Sequence, residues 1–379
     1  MQYRTFKNVR CSILGFGAMR LPTLNNDDSQ IDEDKAIEMI RYAIDHGVNY
    51  VDTAYPYHRG RSEILVGKAL KDGYREKTFL ATKSPVWQVE KHDDFYKFLD
   101  EQLEKLQTDH IDMYLMHALS KERWEKIKSL RFDKFFERAK AEGKLRFAGF
   151  SFHDKYPIFK KIIDEYDGWD FCQIQLNYMD INYQAGLRGL KYAASKGLPV
   201  VIMEPLKGGK LARLPDRAMS VLRKSGKNWS AVEWSLRWLA NFPEVSVILS
   251  GMSTFEQVKE NVEIAEQLVP NNLTEEELRL IDELRKTLES YAVINCTECG
   301  YCMPCPHGVD IPANFRLYNE AIMFENFEMA KGEYRWFSSQ KISAAFCTEC
   351  GECLSKCPQN LQIPTLMKKI HSELSGERR

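Results

Sequence analysis

The chain has 379 residues, 44% of them hydrophobic, with 53 Lys and Arg set against 54 Asp and Glu. That length exceeds one average domain yet leaves room for a barrel of about 250 residues plus a smaller unit, and a net charge of −1 provides no basic footprint for nucleic acid. The N-terminal MQYRTFKNVR lacks an apolar core of signal-peptide length, and no stretch approaches the roughly 18 apolar residues of a membrane span, so a cytoplasmic protein without membrane or nucleic-acid partners is expected.

From about residue 10 to 265 short apolar runs alternate with amphipathic stretches. Eight runs read as strands: SILGF, NYVDTA, TFLATK, DMYLMH, RFAGFS, FCQIQ, PVVIM and VSVILS. Between them lie helical segments such as DEDKAIEMIRYAIDHG and DDFYKFLDEQLEKLQ. In the first of these Ala36, Met39, Ile40, Ala43 and Ile44 fall on one stripe, and His46-Gly47 closes it. Eight strands alternating with helices close most economically as an α/β (β/α)8 TIM barrel. An open doubly wound sheet would need a glycine-rich fingerprint after its first strand, but GFGAMRLP lacks the third glycine and runs into Pro22. TEEELRLIDELRKTLE predicts a capped helix beginning near Thr274. Residues 266–292 then form the junction between a barrel at 1–290 and a second domain at 291–379.

The second domain holds eight of the ten cysteines, in two runs that each end in Cys-Pro: Cys296, Cys299, Cys302 and Cys305, then Cys347, Cys350, Cys353 and Cys357. The second run has the C-x2-C-x2-C-x3-C-P spacing that gives three thiolates to one cubane cluster and the fourth to its neighbour. The first is one residue shorter before its last cysteine. Paired CxxC units also build zinc sites, but a zinc site has no use for a third cysteine two residues further on. Two [4Fe-4S] clusters are therefore expected. In the crossed arrangement Cys296, Cys299, Cys302 and Cys357 hold one, and Cys347, Cys350, Cys353 and Cys305 the other; if the shorter run prevents crossing, each run holds its own. Laying Cys296 on Cys347 exposes an internal repeat in which each run precedes a proline, in VDIP and LQIP. The intervening ANFRLYNEAIMFENFEMAKG reads as helical, so this part is expected to be a small, mainly α-helical, ferredoxin-like domain that depends on its metal. Cys11 and Cys172 lie in apolar surroundings and read as reduced packing residues.

Polar residues end three successive predicted strands: Asp52 after NYV, Lys83 after FLAT and His117 after YLM. In a barrel the carboxyl ends of the strands form one rim, so these side chains converge, and Tyr57 follows on the loop above. A phenol titrates near 10 and needs a neighbouring cation to ionise more readily. Lys83 is the candidate, Asp52 would keep it charged, and His117 can hydrogen-bond the same substrate oxygen. Such a device suits hydride transfer to a carbonyl, or from an alcohol, with Tyr57 moving the proton; since no side chain stores hydride, a nicotinamide is required.

The stretches VDTAYPY, LATKSP and YLMH, in that order on eight βα units, resemble the Asp, Tyr, Lys and His tetrad of the aldo/keto reductase superfamily. With its cysteine runs the whole chain resembles the branch of that superfamily that carries a ferredoxin-like domain. The resemblance implies that Ser151 and Gln173 bind the carboxamide of the nicotinamide, with Phe152 departing from the Asn of the family's Ser-Asn pair. It puts Met203 where many members stack an aromatic ring. It implies further that GMSTFEQVKEN binds the adenosine phosphate through Gly251, Gln257, Glu260 and Asn261. Neither Gly251 nor Gln257 carries the charge that a 2′-phosphate favours, which tilts the expectation towards NADH over NADPH.

Three functions remain open on the sequence. One is a carbonyl reductase or alcohol dehydrogenase whose clusters are structural. Another is an electron-transfer oxidoreductase whose clusters exchange electrons with a ferredoxin or flavoprotein. The third is a non-enzymatic redox relay or sensor. Hydride carries two electrons and each cluster takes one; a flavin would split the pair, but no flavin fingerprint is present. Trp87, Met19 and Tyr178 suggest an apolar pocket near the strand ends.

Overall fold

The structure is a computed structural model that describes residues 1–25 and 27–376. By contacts the chain forms two compact units, Met1–Gly209 with Trp229–Thr274, and Lys210–Asn228 with the residues from Glu275 onward.

The first unit opens with a hairpin, β1 (Tyr3–Phe6) and β2 (Val9–Ser12), that the sequence reading did not include. Eight parallel strands follow, β3 (Leu14–Gly17), β4 (Tyr50–Asp52), β5 (Phe79–Ser84), β6 (Ile111–Leu119), β7 (Leu145–Phe152), β8 (Phe171–Gln175), β9 (Val200–Met203) and β10 (Val245–Gly251). They run in chain order around a closed barrel, and β10 pairs with both β9 and β3. Each contains or overlaps one of the eight predicted runs. The helix Glu33–Asp45 buries Ala36, Met39, Ile40, Ala43 and Ile44, the stripe read from its periodicity, and the Asp32 carboxylate caps its first turn at Lys35 N.

Side chains of a strand alternate between faces, and this period of two builds the site. Tyr50, Ala81, Leu115, Phe171, Val201 and Leu249 point into the barrel and share one buried cluster with Phe6 and Cys11 of the hairpin. Two residues further along the same strands come Asp52, Lys83, His117, Gln173, Met203 and Gly251. The apolar layer and the hairpin thus fill the amino end of the barrel, leaving the polar layer at the carboxyl end.

In the second unit the helices Asp216–Arg223 and Glu275–Glu289 pack together, and Arg217 lies 3.6 Å from the centre of the Tyr291 ring. The segment expected as helical between the cysteine runs forms two helices, Ile311–Met323 and Phe327–Ser339. Glu325 adopts a left-handed φ of 51°, and the Asn326 side chain accepts from Met329 N to start the second helix. The internal repeat is also visible in the backbone. Glu298 and Glu349 have φ of 53° and 60°, Gly300 and Gly351 of 78° and 79°, and each half leads into a helix with proline in its first turn, Ile311–Met323 and Ile363–Leu374.

The helix Ser62–Ala69 meets the C-terminus of His92–Leu106 at Gly67, where an added Cβ would lie 2.7 Å from the Lys105 carbonyl oxygen. Backbone cannot give way as a side chain does, so Gly67→Val is expected to destabilise the barrel by about 1–3 kcal/mol, measured as a lowered urea midpoint.

Candidate active site

Lys83, only 1% exposed, is the centre of the polar layer. Its ammonium donates to Asp52 Oδ1 at 2.7 Å, to the Thr53 carbonyl at 2.8 Å and to the Tyr57 hydroxyl at 3.4 Å. Behind it the Gln102 amide donates to the Lys83 carbonyl, to Thr82 Oγ1 and to the buried Glu63 carboxylate, while Tyr114 donates to Gln102 Oε1. This network, on the outer face of β5, fixes the strand from which the Lys83 side chain projects inward. Burial works against the ammonium, but Asp52 and Tyr57 outweigh it and leave Lys83 above its usual lysine value. Asp52 is itself pushed up by burial, an effect that Lys83 only partly offsets.

Tyr57 begins a short 3-10 segment, Tyr57–Gly60, in which His58 and Arg59 both have left-handed dihedrals. Two consecutive non-glycine residues of this kind cost of order 1–3 kcal/mol each. The compensation is at His58: its Nδ1 donates to the Asp28 carbonyl at 3.0 Å, and its Nε2 accepts from Leu21 N at 3.1 Å. The clamp holds the loop so that the Tyr57 ring lies 4.9 Å from the Lys83 ammonium and 6.2 Å, edge to face, from the His117 ring. Tyr55, the other nearby phenol, turns away to the Glu101 carboxylate.

The sequence led us to expect that Lys83 would ease ionisation of Tyr57. Lys83 does pull in that direction, but burial is the larger effect and leaves the phenol above its ordinary value. Tyr57 therefore keeps its proton at neutral pH. Burial, followed by the Lys83 charge, pushes His117 well below the usual imidazole range, so its ring is neutral and has one N–H to give. His117 Nδ1 is buried without a hydrogen-bond partner.

On β7 and β8, Ser151 Oγ accepts from Ala118 N at 2.7 Å, which leaves its own proton to donate. Gln173 donates to Met203 Sδ at 3.6 Å, while its Oε1 is buried without a partner. A free donor and an orphaned acceptor on adjacent strands are the complement of a carboxamide, so these residues fit a nicotinamide. Phe152 points the other way and packs on Phe159.

The adenosine-phosphate residues implied by the resemblance are less open. Asn261 is buried and donates to Ser250 Oγ, Glu260 accepts from Ser230, and Gln257 accepts from Ser253 N. Gly251 borders a cation that the sequence reading left out. An added Cβ there would lie 3.3 Å from Arg20 Cδ, and one on Gly208 would lie 3.5 Å from the Arg20 guanidinium. A second unforeseen cation is Arg123, whose guanidinium lies over Trp87. Of the suggested pocket residues, Trp87 lies 5.2 Å from His117 and Met19 is exposed, whereas Tyr178 is core.

In the second unit the cysteines line two cavities. Cys296, Cys299, Cys302 and Cys357 border one; Cys305, Cys347, Cys350 and Cys353 border the other, where Cys302 also reaches. Among the described residues no three donors are drawn together as a single metal ion requires. Thiols spread around a cavity fit a cubane, and each cavity takes its fourth cysteine from the opposite run.

Comparison with known proteins identifies both parts of the chain. Residues 13–286 match the aldo/keto reductase family, and residues 295–361 match the 4Fe-4S dicluster domain. The uncharacterized oxidoreductase YqkF of Bacillus subtilis is 28% identical over 310 residues, 73% of this chain and 93% of that protein. The NADH-specific methylglyoxal reductase of Escherichia coli is 26% identical over 335 residues, covering 74% of this chain and 97% of its own length. Among solved structures, the holo form of aldo-keto reductase AKR11C1 from Bacillus halodurans aligns with a TM-score of 0.61 at 28% identity, covering 75% of this chain and 96% of that one. No helix among the described residues is long and apolar enough to cross a membrane. The chain is an oxidoreductase that belongs to the aldo/keto reductase family and carries a C-terminal 4Fe-4S domain.

Proposed function

We propose that the barrel interconverts a carbonyl and an alcohol with a nicotinamide as hydride carrier and Tyr57 as proton donor. The observation that carries this reading is the contact of the Tyr57 hydroxyl with the buried Lys83–Asp52 pair, beside the free donor of Ser151 and the free acceptor of Gln173. The nicotinamide, when bound, supplies the hydride. Ser151 and Gln173 would hold its carboxamide and Met203 would pack against it. Neutral His117 donates a hydrogen bond that orients the substrate oxygen, and Tyr57 gives that oxygen its proton. As negative charge develops on the phenolic oxygen, the Lys83 ammonium stabilises it, and Asp52 keeps Lys83 charged and in place.

The proton step has a defined pH dependence. Because the Tyr57 phenol lies above its ordinary value, the donor form persists through neutral pH; reduction is lost only as pH climbs past that raised value, while oxidation of the alcohol gains over the same range. Tyr57→Phe should lower kcat for reduction about 100-fold or more and remove the alkaline limb of the profile, with nicotinamide affinity retained. Unchanged turnover with the same limb would reject the role.

NADH is the carrier we assign, because Gly251 and Gln257 carry no charge for a 2′-phosphate, Gln257 is engaged by Ser253, and the Lys259 ammonium sits over the Phe255 ring. Arg20 borders Gly251 through its aliphatic stem and Ser253 through its carbonyl, while its guanidinium lies by Gly208, where we assign it to phosphates that NADH and NADPH share. Fluorescence titration should show NADH bound at least as tightly as NADPH, and Arg20→Gln should weaken both by a similar factor. Loss of NADPH binding alone would place the 2′-phosphate on Arg20.

The second unit, on our reading, holds two [4Fe-4S] clusters with crossed ligands, since each cavity borrows a cysteine from the other run. A cluster passes single electrons, which gives a ferredoxin or flavoprotein partner a way in, and dithionite titration would show whether the clusters accept them. Crossing itself has a sharper test. Double replacement of Cys296 and Cys357 by Ser should remove about half the bound iron, because both serve one cluster. If each run held its own, the same double variant would damage both clusters.

A further inference from the structure

The helix Lys121–Ser129 follows β6 directly, with Ser120 as its cap accepting from Arg123 N. This places Arg123 in the first turn, one ring beyond the proton-transfer residues. Its guanidinium carbon lies 5.3 Å from the centre of the Trp87 ring, which is 5.2 Å from His117, and His117 in turn is 6.2 Å from Tyr57. Arg123 Nη1 donates to the Ala118 carbonyl at 2.8 Å, a bond that fixes the head of the side chain beside the residue following His117. Trp87 is fixed as well, since Lys126 Nζ donates to its carbonyl at 3.1 Å.

A guanidinium has five N–H donors, and the Ala118 carbonyl takes one. Among the described residues no carboxylate lies within ion-pair distance of Arg123. The contrast with its neighbours is sharp: Lys128 holds Glu125 and Glu165, Lys161 holds Glu125, and Lys83 is neutralised by Asp52. A cation that is half-buried, stacked on an indole and unmatched by any acid has a planar fork to offer a planar oxyanion. Its field reaches the reaction centre, because Arg123 is among the charges that hold His117 neutral.

We propose that Arg123 is a specificity-determining residue that binds an oxyanion on the substrate, so that the barrel acts on carbonyl compounds bearing a carboxylate or phosphate. This deepens the reductase reading given above and rests on it. Trp87 supplies a flat apolar wall between the two polar ends of such a molecule: the carbonyl oxygen at Tyr57 and His117, the oxyanion at Arg123.

The test is a comparison of matched aldehydes with the full-length protein carrying its clusters, reading kcat/KM with NADH and with NADPH. The pairs are 4-carboxybenzaldehyde against methyl 4-formylbenzoate, succinic semialdehyde against its methyl ester, and glyceraldehyde 3-phosphate against glyceraldehyde. In at least one pair the charged member should be favoured about 10-fold or more, chiefly through KM. The first two pairs report a carboxylate and the third a phosphate. Arg123→Met should bring that ratio close to one, and Arg123→Lys should restore part of it. The wild-type comparison requires no variant to fold. Neutral members reduced as well as charged ones in every pair, or a preference that survives Arg123→Met, would overturn the oxyanion site while leaving the reductase reading standing. Failure to reduce any of the six aldehydes, or reduction undiminished in Tyr57→Phe, would overturn both.

Discussion

The ion pair of Lys83 with Asp52 organises the active end of the barrel. Removing two charges from water is costly, and breaking such a pair by deleting one partner costs about 3–5 kcal/mol because the other charge is stranded. The fold offsets part of that cost with closely placed bonds, Asp52 Oδ1 and the Thr53 carbonyl on the ammonium and the Glu63–Gln102 network behind the strand, while Asp52 Oδ2 is buried with no hydrogen-bond partner among the described residues. The pair then sets the state of its neighbours. It supports the charge that helps keep His117 neutral, and it puts a fixed cation next to the Tyr57 phenol, where it opposes part of the effect of burial.

The barrel and this constellation were legible in the sequence for one reason. A strand facing a packed interior reads as an apolar run, and a charged residue two positions past the last core side chain stands out against it. Asp52, Lys83 and His117 were conspicuous in this way. The cysteine runs were legible too, since their tight spacing sets them apart from isolated packing thiols such as Cys11 and Cys172. Arg20 and Arg123 were not, because 53 Lys and Arg are scattered along the chain and nothing in the local pattern distinguishes an unpaired guanidinium at the mouth from one on a solvated helix. Which cations lack an acid is decided by neighbours distant in sequence.

Other features escaped the pattern for different physical reasons. The hairpin Tyr3–Ser12 is too short and too polar to register as core, although Phe6 and Cys11 are fully buried. The break between Ile311–Met323 and Phe327–Ser339 turns on the backbone of Glu325, a residue with good helix propensity that takes a left-handed conformation just before Asn326 caps the second helix. The loop carrying Tyr57 depends on a histidine clamp between residues far apart in the chain. The proton affinity of Tyr57 depends on depth of burial, and spacing alone carried only the opposing pull of Lys83.

Phe6 and Cys11 stopper the lower end of the ring, so whatever reaches Lys83 must come and go by a single doorway. On the reading proposed above, hydride carrier and carbonyl compound would both have to use that approach.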